Sequence, residues 1–411
     1  MNSWSALGCV FLCSVILLSL KLYSSMTVEL IDKYPVHSFF RGSERASPVP
    51  TSGLGQFVNK TTGIQEVKSA NYTDMFTVVI VTFNEPLLEK TVQNVLENTR
   101  PGYVGEVLII DDHSDIPVEW DPKETRVRII RNDRRMGLIG ARYIGGNNAR
   151  CDYLAFIDAH VFVGPDWLKT PRRLLLEDPR TVVNYINFNL DAEAYVPKSR
   201  WSGVGSSATI RMDLRQIWGG GSPDDLFSPI TMGMFVISKF WWNHGAMDPE
   251  LRTWGGENVE ISFRTWLCGG RIVVASDSFV AHGFRTKFPY PVNGGDVQRN
   301  YVRIANVWMD SEHLDLFYQA SRITLRNGKP NIDFGDISAR LRLKEELKCK
   351  PFSYYATKFK GRALCLPKHM RPPGKYSCGE KMAVNPSAFS GLTHEQMFYL
   401  NATEIGRASC R

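Results

Sequence analysis

The alternation of strand-like and helix-like segments from residue 77 onward constrains the fold most. The run TVVIVTF (77–83) is β-branched and aromatic, as is typical of a strand buried on both faces of a sheet. Residues 87–99 then place apolar side chains at helical spacing. Further strands are predicted at 106–114, 126–130 and 151–163, and further helices at 136–149 and 167–178. This order predicts an α/β fold with a Rossmann-like, mostly parallel central sheet.

The chain has the size and composition of a large packed protein. Its 411 residues are 43% hydrophobic and 22% charged, which excludes simple disorder and a disulfide miniprotein. The net charge of +7, from 49 basic and 42 acidic residues, is mild. We therefore expect no nucleic-acid partner.

The first 20 residues carry no charged side chain. Residues 4–20 form an apolar run at the short end of what a membrane-spanning helix needs. A cleaved signal peptide and a buried soluble helix are the alternatives, although a basic n-region and a small-x-small cleavage site directly after the run are missing. A secretory route is supported by three sequons, at Asn59, Asn71 and Asn401.

Six of the eight cysteines lie outside the apolar run. None of the six forms a CxxC pair, which argues against a structural zinc site. In an oxidising lumen some of them should form disulfides, but the sequence does not give the pairing.

The sharpest candidate site is Asp158-Ala159-His160, at the end of a predicted strand. Residues i and i+2 of a strand point to the same side, so the carboxylate and the imidazole can share one ligand. This donor pair suits Mn²⁺, and His282, which follows another predicted strand, is the best third ligand. A surface Asp and His at the start of a loop is the alternative.

Two further polar groups follow predicted strands, where ligands bind in parallel sheets. Asp111-Asp112 would hold nucleoside hydroxyls or help to place the metal, or else is an acidic turn. Arginines before the 136–149 helix and beyond His282 would hold a diphosphate, or else are solvated surface. No GxGxxG or Walker motif is present, so dehydrogenase and P-loop functions are disfavoured.

The segment Trp254-Gly255-Gly256-Glu257-Asn258 combines the components of a sugar site. The glycines allow close backbone approach, the Trp offers a stacking face, and Glu257 and Asn258 can hydrogen-bond to hydroxyls. A glycine turn before a helix is the alternative explanation.

Together these segments resemble the polypeptide N-acetylgalactosaminyltransferases, Golgi enzymes with a GT-A fold that start mucin-type O-glycosylation. The segments that carry the resemblance are VTFNE (81–85), IIDDHSD (109–115), RIIRNDRRMGLIGAR (128–142), FIDAH (156–160), WGGENVEISFRTWLCGG (254–270), AHGFRTKFPY (281–290), RNYVRIANVWMD (299–310) and DISARLRLKEELKCKPFSYY (336–355). Their common order along the chain argues strongly against chance.

The resemblance implies roles for individual residues. The implied Mn²⁺ ligands are Asp158, His160 and His282. The implied uridine-binding residues are Thr82, Asp112 and Arg135. The implied donor-site residues are Arg142, Gly233, Trp254, Glu257, Asn258, Arg285 and Tyr290, of which Glu257, Asn258 and Arg285 are expected to be catalytic. The implied reaction moves GalNAc from UDP-GalNAc to a Ser or Thr hydroxyl of a polypeptide, with retention.

The sequence departs from the family pattern near the implied site. The family's TFHNE is shortened to Thr82-Phe83-Asn84-Glu85, and its Ala-Gly-Gly reads Thr231-Met232-Gly233, where the methionine is expected to narrow the sugar pocket. Residues 206–218 replace the GGFDW acceptor motif. The family's disulfides are expected to be rearranged or lost, because Cys268 and Cys349 lack their usual partners.

The resemblance also implies a domain plan and a location. The expected segments are a cytoplasmic tip and signal-anchor helix (1–23), a lumenal stem (24–75), a nucleotide-binding half (76–190), a donor and acceptor half (191–359) and a tail with a truncated lectin remnant (360–411). We expect a single-pass type II protein of the Golgi membrane with a lumenal catalytic domain and no functional lectin module. Two alternatives are a catalytically silent, UDP-binding or scaffold homologue, and a transferase for another donor or acceptor.

Overall fold

Nine strands of the described chain form one central sheet, and four more form two hairpins. The structure is a computed structural model that describes residues 72–200, 208–218, 226–285 and 292–370. Its strands are β1 (Phe76–Thr82), β2 (Val104–Asp111), β3 (Val127–Arg131), β4 (Tyr153–Asp158), β5 (Val161–Val163), β6 (Thr181–Asp191), β7 (Val196–Arg200), β8 (Ala208–Ile210), β9 (Gln216–Trp218), β10 (Phe235–Ser238), β11 (Arg271–His282), β12 (Leu325–Arg326) and β13 (Lys329–Pro330).

The central sheet is mixed, so the prediction of a mostly parallel sheet is wrong. Its order is β3-β2-β1-β4-β10-β6-β11-β5, with β7 beside β6. Strands β3, β2, β1 and β4 are parallel neighbours, as are β6 and β11. Strand β10 is antiparallel to both β4 and β6, and β11–β5 and β6–β7 are also antiparallel. Apolar patterning has the same period in either direction, so it could not reveal these reversals.

The strand predicted at 151–163 is two strands in the structure. The chain leaves β4 after Asp158, bends through residues 159 and 160, and forms β5 against β11. The bend places His160 outside both strands. The argument that Asp158 and His160 share a face by strand alternation therefore does not hold, although the two side chains do meet.

The helices predicted around the first strands are confirmed within one or two residues at their ends. The helices are α1 (Leu88–Asn98), α2 (Gly137–Asn148), α3 (Lys169–Glu177), α4 (Lys239–Asn243), α5 (Glu257–Leu267), α6 (Gly294–Trp308), α7 (Ser311–Ser321), α8 (Ser338–Glu346) and α9 (Phe352–Lys358). Helix α5 begins after Gly256, whose φ of 95° lies in the left-handed region that favours glycine.

The sheet is covered by apolar side chains on both faces. In β2, Leu108 and Ile110 belong to one buried layer, and Val107 and Ile109 belong to the other. This alternation explains the apolar run 107–110, since neither face of the strand meets water there.

A disulfide joins Cys268, which follows α5, to Cys349. Cys268 and Cys349 are therefore each other's partners, and whether this pairing departs from that of the family stays a prediction. In the described part of the chain no helix is long and apolar enough to cross a membrane. The apolar run 4–20 and the three sequons lie outside the described residues.

Candidate active site

A cavity of about 440 Å³ lies where several strands of the sheet end. Thr82, Asp158 and His282 line it, and each is the last residue of its strand. The cavity also takes residues from the start of α5 and from the loop between β1 and α1. This cavity therefore lies at the ends of the strands, where the sequence predicts the site.

Asp158, His160 and His282 meet in this cavity. One potential ligand atom from each residue lies within 4.8 Å of the others. Asp158 Oδ2 is 3.2 Å from His282 Nε2, and the two imidazole rings are 4.7 Å apart. His282 Nδ1 has no hydrogen-bond partner among the described groups. One carboxylate and two imidazoles with spare donor atoms fit a divalent cation such as Mn²⁺.

The electrostatics of Asp158 favour its charged form. Burial acts to raise the pKa of this carboxyl, but the hydrogen bond with His282 and the charge of Arg142 outweigh burial and lower the pKa. Burial lowers the pKa of His282 despite its contact with Asp158. An ionised carboxylate and a neutral imidazole are the protonation states that a metal site requires.

Arg142 connects the metal-ligand cluster to the start of α5. Its side chain is buried, with Nη2 donating to Asp158 Oδ1 at 3.0 Å and to the carbonyl of Gly233 at 2.6 Å. Its Nη1 lies 3.6 Å from Glu257 Oε1. The guanidinium therefore fixes three parts of the cavity wall at once, in addition to lining the cavity itself.

The residues expected to bind uridine lie together at one end of the cavity. Arg135 stacks on the ring of Phe83, with its guanidinium carbon 3.8 Å from the ring centroid. Asp112 is buried, and its carboxylate accepts hydrogen bonds from the backbone nitrogens of Met136 and Gly137 at 2.8 Å each. Asp112 therefore also caps the start of α2. Thr82 lines the cavity, and its Oγ1 has no hydrogen-bond partner among the described residues.

The start of α5 supplies the polar groups expected at the sugar. Glu257 is buried, its Oε2 accepts from the backbone nitrogen of Gly255 at 3.1 Å, and burial raises its pKa. Asn258 is buried with an Oδ1 that has no described partner. Trp254 lines the same wall. An unpartnered buried amide oxygen facing a cavity is available to a ligand hydroxyl.

Several cavity residues were not predicted from the sequence. They include Glu85, Asn187, Met234 and Tyr301, whereas Arg215 and Gln216 belong to the 206–218 segment that replaces the acceptor motif. Glu85 could have been found, since it follows a predicted strand among other polar residues. Asp111, by contrast, is a predicted ligand-binding residue that does not line the cavity. Its carboxylate accepts hydrogen bonds from Arg131 and from the backbone of Ser114 and Val118. Tyr290 lies outside the described residues, whereas Arg285 is at the cavity rim.

The family described as glycosyl transferase family 2 matches residues 77–235. Polypeptide N-acetylgalactosaminyltransferase 11 of Xenopus tropicalis is 35% identical over 302 residues, which are 68% of this chain and 49% of the relative. Polypeptide N-acetylgalactosaminyltransferase 6 of Homo sapiens is 34% identical over 302 residues, which are 68% of this chain and 48% of the relative. The chain thus spans about half the length of these relatives.

A solved structure of GalNAc-T7 with UDP, GalNAc and Mn²⁺ superimposes with a TM-score of 0.60 at 27% identity. The match covers 69% of this chain and 56% of that protein. The fold is therefore that of the GT-A class of glycosyltransferases. Within that class, the chain belongs to the polypeptide N-acetylgalactosaminyltransferase family.

Proposed function

We propose that this chain is a Mn²⁺-dependent retaining transferase that moves GalNAc from UDP-GalNAc to Ser or Thr hydroxyls of polypeptides. The observation that carries the proposal is the convergence of Asp158, His160 and His282 on a cavity that the start of α5 also lines. The similarity to GalNAc-transferases supports both the donor and the metal.

On the metal side, Asp158, His160 and His282 would hold Mn²⁺, which as a Lewis acid stabilises charge on a diphosphate. Arg285 at the cavity rim would stabilise the same charge as the sugar leaves. Arg135, stacked on Phe83, would position the nucleotide.

On the sugar side, Glu257 and Asn258 would bind the hydroxyls of the donor. Arg142 would keep Glu257 in register with Asp158, because the same guanidinium faces both carboxylates. Attack by the acceptor hydroxyl on the face that the diphosphate leaves would give retention, which is the mechanism that the family implies.

The acceptor and the cellular location are further parts of the proposal. Polypeptide acceptors are supported by the names of the relatives. A type II Golgi anchor in residues 1–23 is supported by the apolar run and by the family resemblance. Glycans at Asn59, Asn71 and Asn401 would follow from the same secretory route.

The test is UDP release measured with a panel of nucleotide sugars, with and without Mn²⁺ and with and without a Ser/Thr peptide library. We expect release with UDP-GalNAc that needs both the peptide and Mn²⁺. Tight UDP binding without release from any donor would instead support a catalytically silent, UDP-binding homologue.

A different sugar donor is the second candidate, and Met232 favours it. This side chain is buried and lines the cavity next to Gly233, the residue that accepts from Arg142. Release from another nucleotide sugar that exceeds release from UDP-GalNAc would support this candidate.

A further inference from the structure

Arg215 is a charged residue of the cavity wall that has no role in the proposed function. It lies in the turn between β8 and β9 and directly precedes β9. Its side chain lines the cavity, yet 71% of it is exposed. The guanidinium therefore lies where the cavity wall meets solvent, and an incoming molecule can reach it.

The carboxylate beside Arg215 is held by a different arginine. Asp213 Oδ1 accepts from Arg211 Nε at 3.0 Å, and Asp213 Oδ2 accepts from Arg211 Nη2. Arg215 Nε is 3.8 Å from Asp213 Oδ2, which is beyond hydrogen-bond distance. Two arginines thus share one carboxylate, which leaves a net positive charge in this turn.

The other arginines of the cavity wall each lie within 4.0 Å of an acid of the same wall. The pairs are Arg135–Asp112, Arg142–Asp158, Arg142–Glu257 and Arg285–Glu85. Among the described residues, the acid that lies within this distance of Arg215 is Asp213, which does not line the cavity. Arg215 therefore brings a positive charge to the wall that no described acid of the cavity pairs with.

Tyr301 connects Arg215 with the start of α5. This tyrosine lines the cavity from α6, and a methyl group placed on Gly256 would lie 3.5 Å from its ring. Burial and the charges of Glu257 and Asp213 raise the pKa of Tyr301 to about 12, and the charge of Arg215 acts against them. Glu257 and Arg215 are thus close enough to act on one phenol. The exposed part of the wall at Arg215 therefore lies near the groups proposed to hold the sugar, which an acceptor must approach.

The chemistry of Arg215 favours an acceptor that carries a carboxylate. Its guanidinium has no hydrogen-bond partner among the described residues. A guanidinium pairs with a carboxylate through two N–H donors in one plane. The donor diphosphate could use the same N–H groups, but the metal ligands and Arg285 serve it in the proposed function.

We propose that Arg215 selects acceptor peptides that carry a Glu or Asp close to the Ser or Thr that receives the sugar. The inference rests on the proposed function, because it takes the cavity as the site of sugar transfer to polypeptides. It adds a preference among acceptors that is set by charge at the entrance rather than by the groups that bind the sugar.

The test measures GalNAc transfer to Thr peptides that differ only in carrying Glu, Gln or Lys at one position within about three residues of the Thr. For the wild type, we expect kcat/KM to be about 3-fold higher for the best Glu peptide than for its Gln counterpart, and lowest for Lys. Arg215→Glu should reverse this order, so that the Lys peptide is preferred. Each ratio is taken within one variant, so a reduced folded fraction cancels.

Arg326→Glu is the matched control, because Arg326 is an exposed arginine of the β12–β13 hairpin and does not line the cavity. It should keep the wild-type order of peptides, with ratios within about 2-fold. Added salt should reduce the wild-type preference, since the pair is exposed.

Three outcomes would overturn the inference while leaving the proposed function in place. They are equal kcat/KM of the wild type for the Glu, Gln and Lys peptides, the wild-type order of peptides in Arg215→Glu, and the same shift of preference in Arg326→Glu. Weaker UDP binding by Arg215→Glu together with the wild-type order would assign Arg215 to the donor diphosphate. Transfer by the wild type to none of the peptides would overturn the proposed function and this inference together.

Discussion

Two acids one turn apart on α5 occupy opposite kinds of surroundings. Glu257 and Glu260 are both buried, and burial raises the pKa of each. Glu257 lines the cavity near Arg142, whereas Glu260 contacts Arg340 inside the protein. Burial and a raised pKa therefore do not by themselves mark a catalytic acid. What distinguishes Glu257 is its access to a cavity.

The interior cluster around Glu260 consists of charged side chains that contact one another and backbone carbonyls outside the cavity. Asp248 pairs with Arg303 through contacts of 2.8 and 3.1 Å, and Arg340 lies 3.9 Å from the same carboxylate. Arg264 donates to the carbonyls of Trp241 and His244. These contacts join α5, α6, α8 and the segment after α4. We therefore expect the interior cluster to serve stability and the cavity cluster to serve the proposed chemistry.

The largest expected effect is on the cavity side, in His282→Ala. Removing this ligand should lower Mn²⁺-dependent turnover by about 1000-fold, since metal stabilisation of charge is worth several kcal/mol. Thermal unfolding of the metal-free variant should remain close to wild type. The measurement is turnover over a Mn²⁺ titration, and wild-type turnover in the variant would refute the ligand assignment.

The next effect is on the interior side, in Asp248→Asn. Loss of this charge leaves Arg303 without its buried acid and should lower the free energy of unfolding by about 3 kcal/mol. Turnover at a temperature where the variant is folded should remain near wild type. Denaturant unfolding and a matched activity assay would check both. A large loss of turnover in folded Asp248→Asn would break the distinction between the two clusters.

Substitutions of Glu257 and Glu260 form a matched pair, because both acids are buried on α5 and only Glu257 lines the cavity. Glu257→Gln should lower kcat by about 100-fold, because a charged group aimed at the reacting sugar is lost, while UDP affinity stays within about 2-fold. Glu260→Gln is the control and should leave kcat unchanged while lowering stability. Isothermal titration with UDP and initial rates separate the effects. An equal loss of UDP affinity and kcat in Glu257→Gln would point to a structural role.

The smallest effect is expected from filling the cavity slightly. Gly233→Ala adds a methyl group that meets nothing within 4 Å, so it should project into the cavity and raise the donor KM by about 5-fold. Gly294→Ala is the control, since its methyl also meets nothing within 4 Å and this glycine is not in the cavity wall. The donor KM is measured from initial rates over a donor titration at saturating acceptor. An unchanged KM in Gly233→Ala would show that the sugar does not reach Gly233.

Much of the fold around the site is predictable from the sequence. The strands that end at Thr82 and Asp158 are largely apolar up to a polar last residue, and this pattern locates the cavity. The pattern could not show that Phe235–Ser238 is antiparallel to its neighbours, because a run of three apolar residues carries no information on strand direction. It also could not show the bend at His160, since the residues on either side of it are equally apolar.

The contacts within the site are less predictable, because they join residues far apart in the chain. Arg142 meets Gly233, 91 positions away, and Glu85 meets Arg285, 200 positions away. The disulfide between Cys268 and Cys349 spans 81 positions. The sequence predicts Asp112 as a ligand-binding acid. It does not predict that the same carboxylate accepts hydrogen bonds from the backbone at the start of α2.

The central claim is that the cavity transfers GalNAc to a hydroxyl with Asp158 as a metal ligand. The most direct measurement is the incorporation of labelled GalNAc from UDP-GalNAc into a varied Ser/Thr peptide library, with Mn²⁺, by the wild type and by Asp158→Ala. We predict incorporation by the wild type that is lost in the variant and on removal of Mn²⁺ by a chelator. Wild-type incorporation no greater than that of Asp158→Ala would contradict the claim.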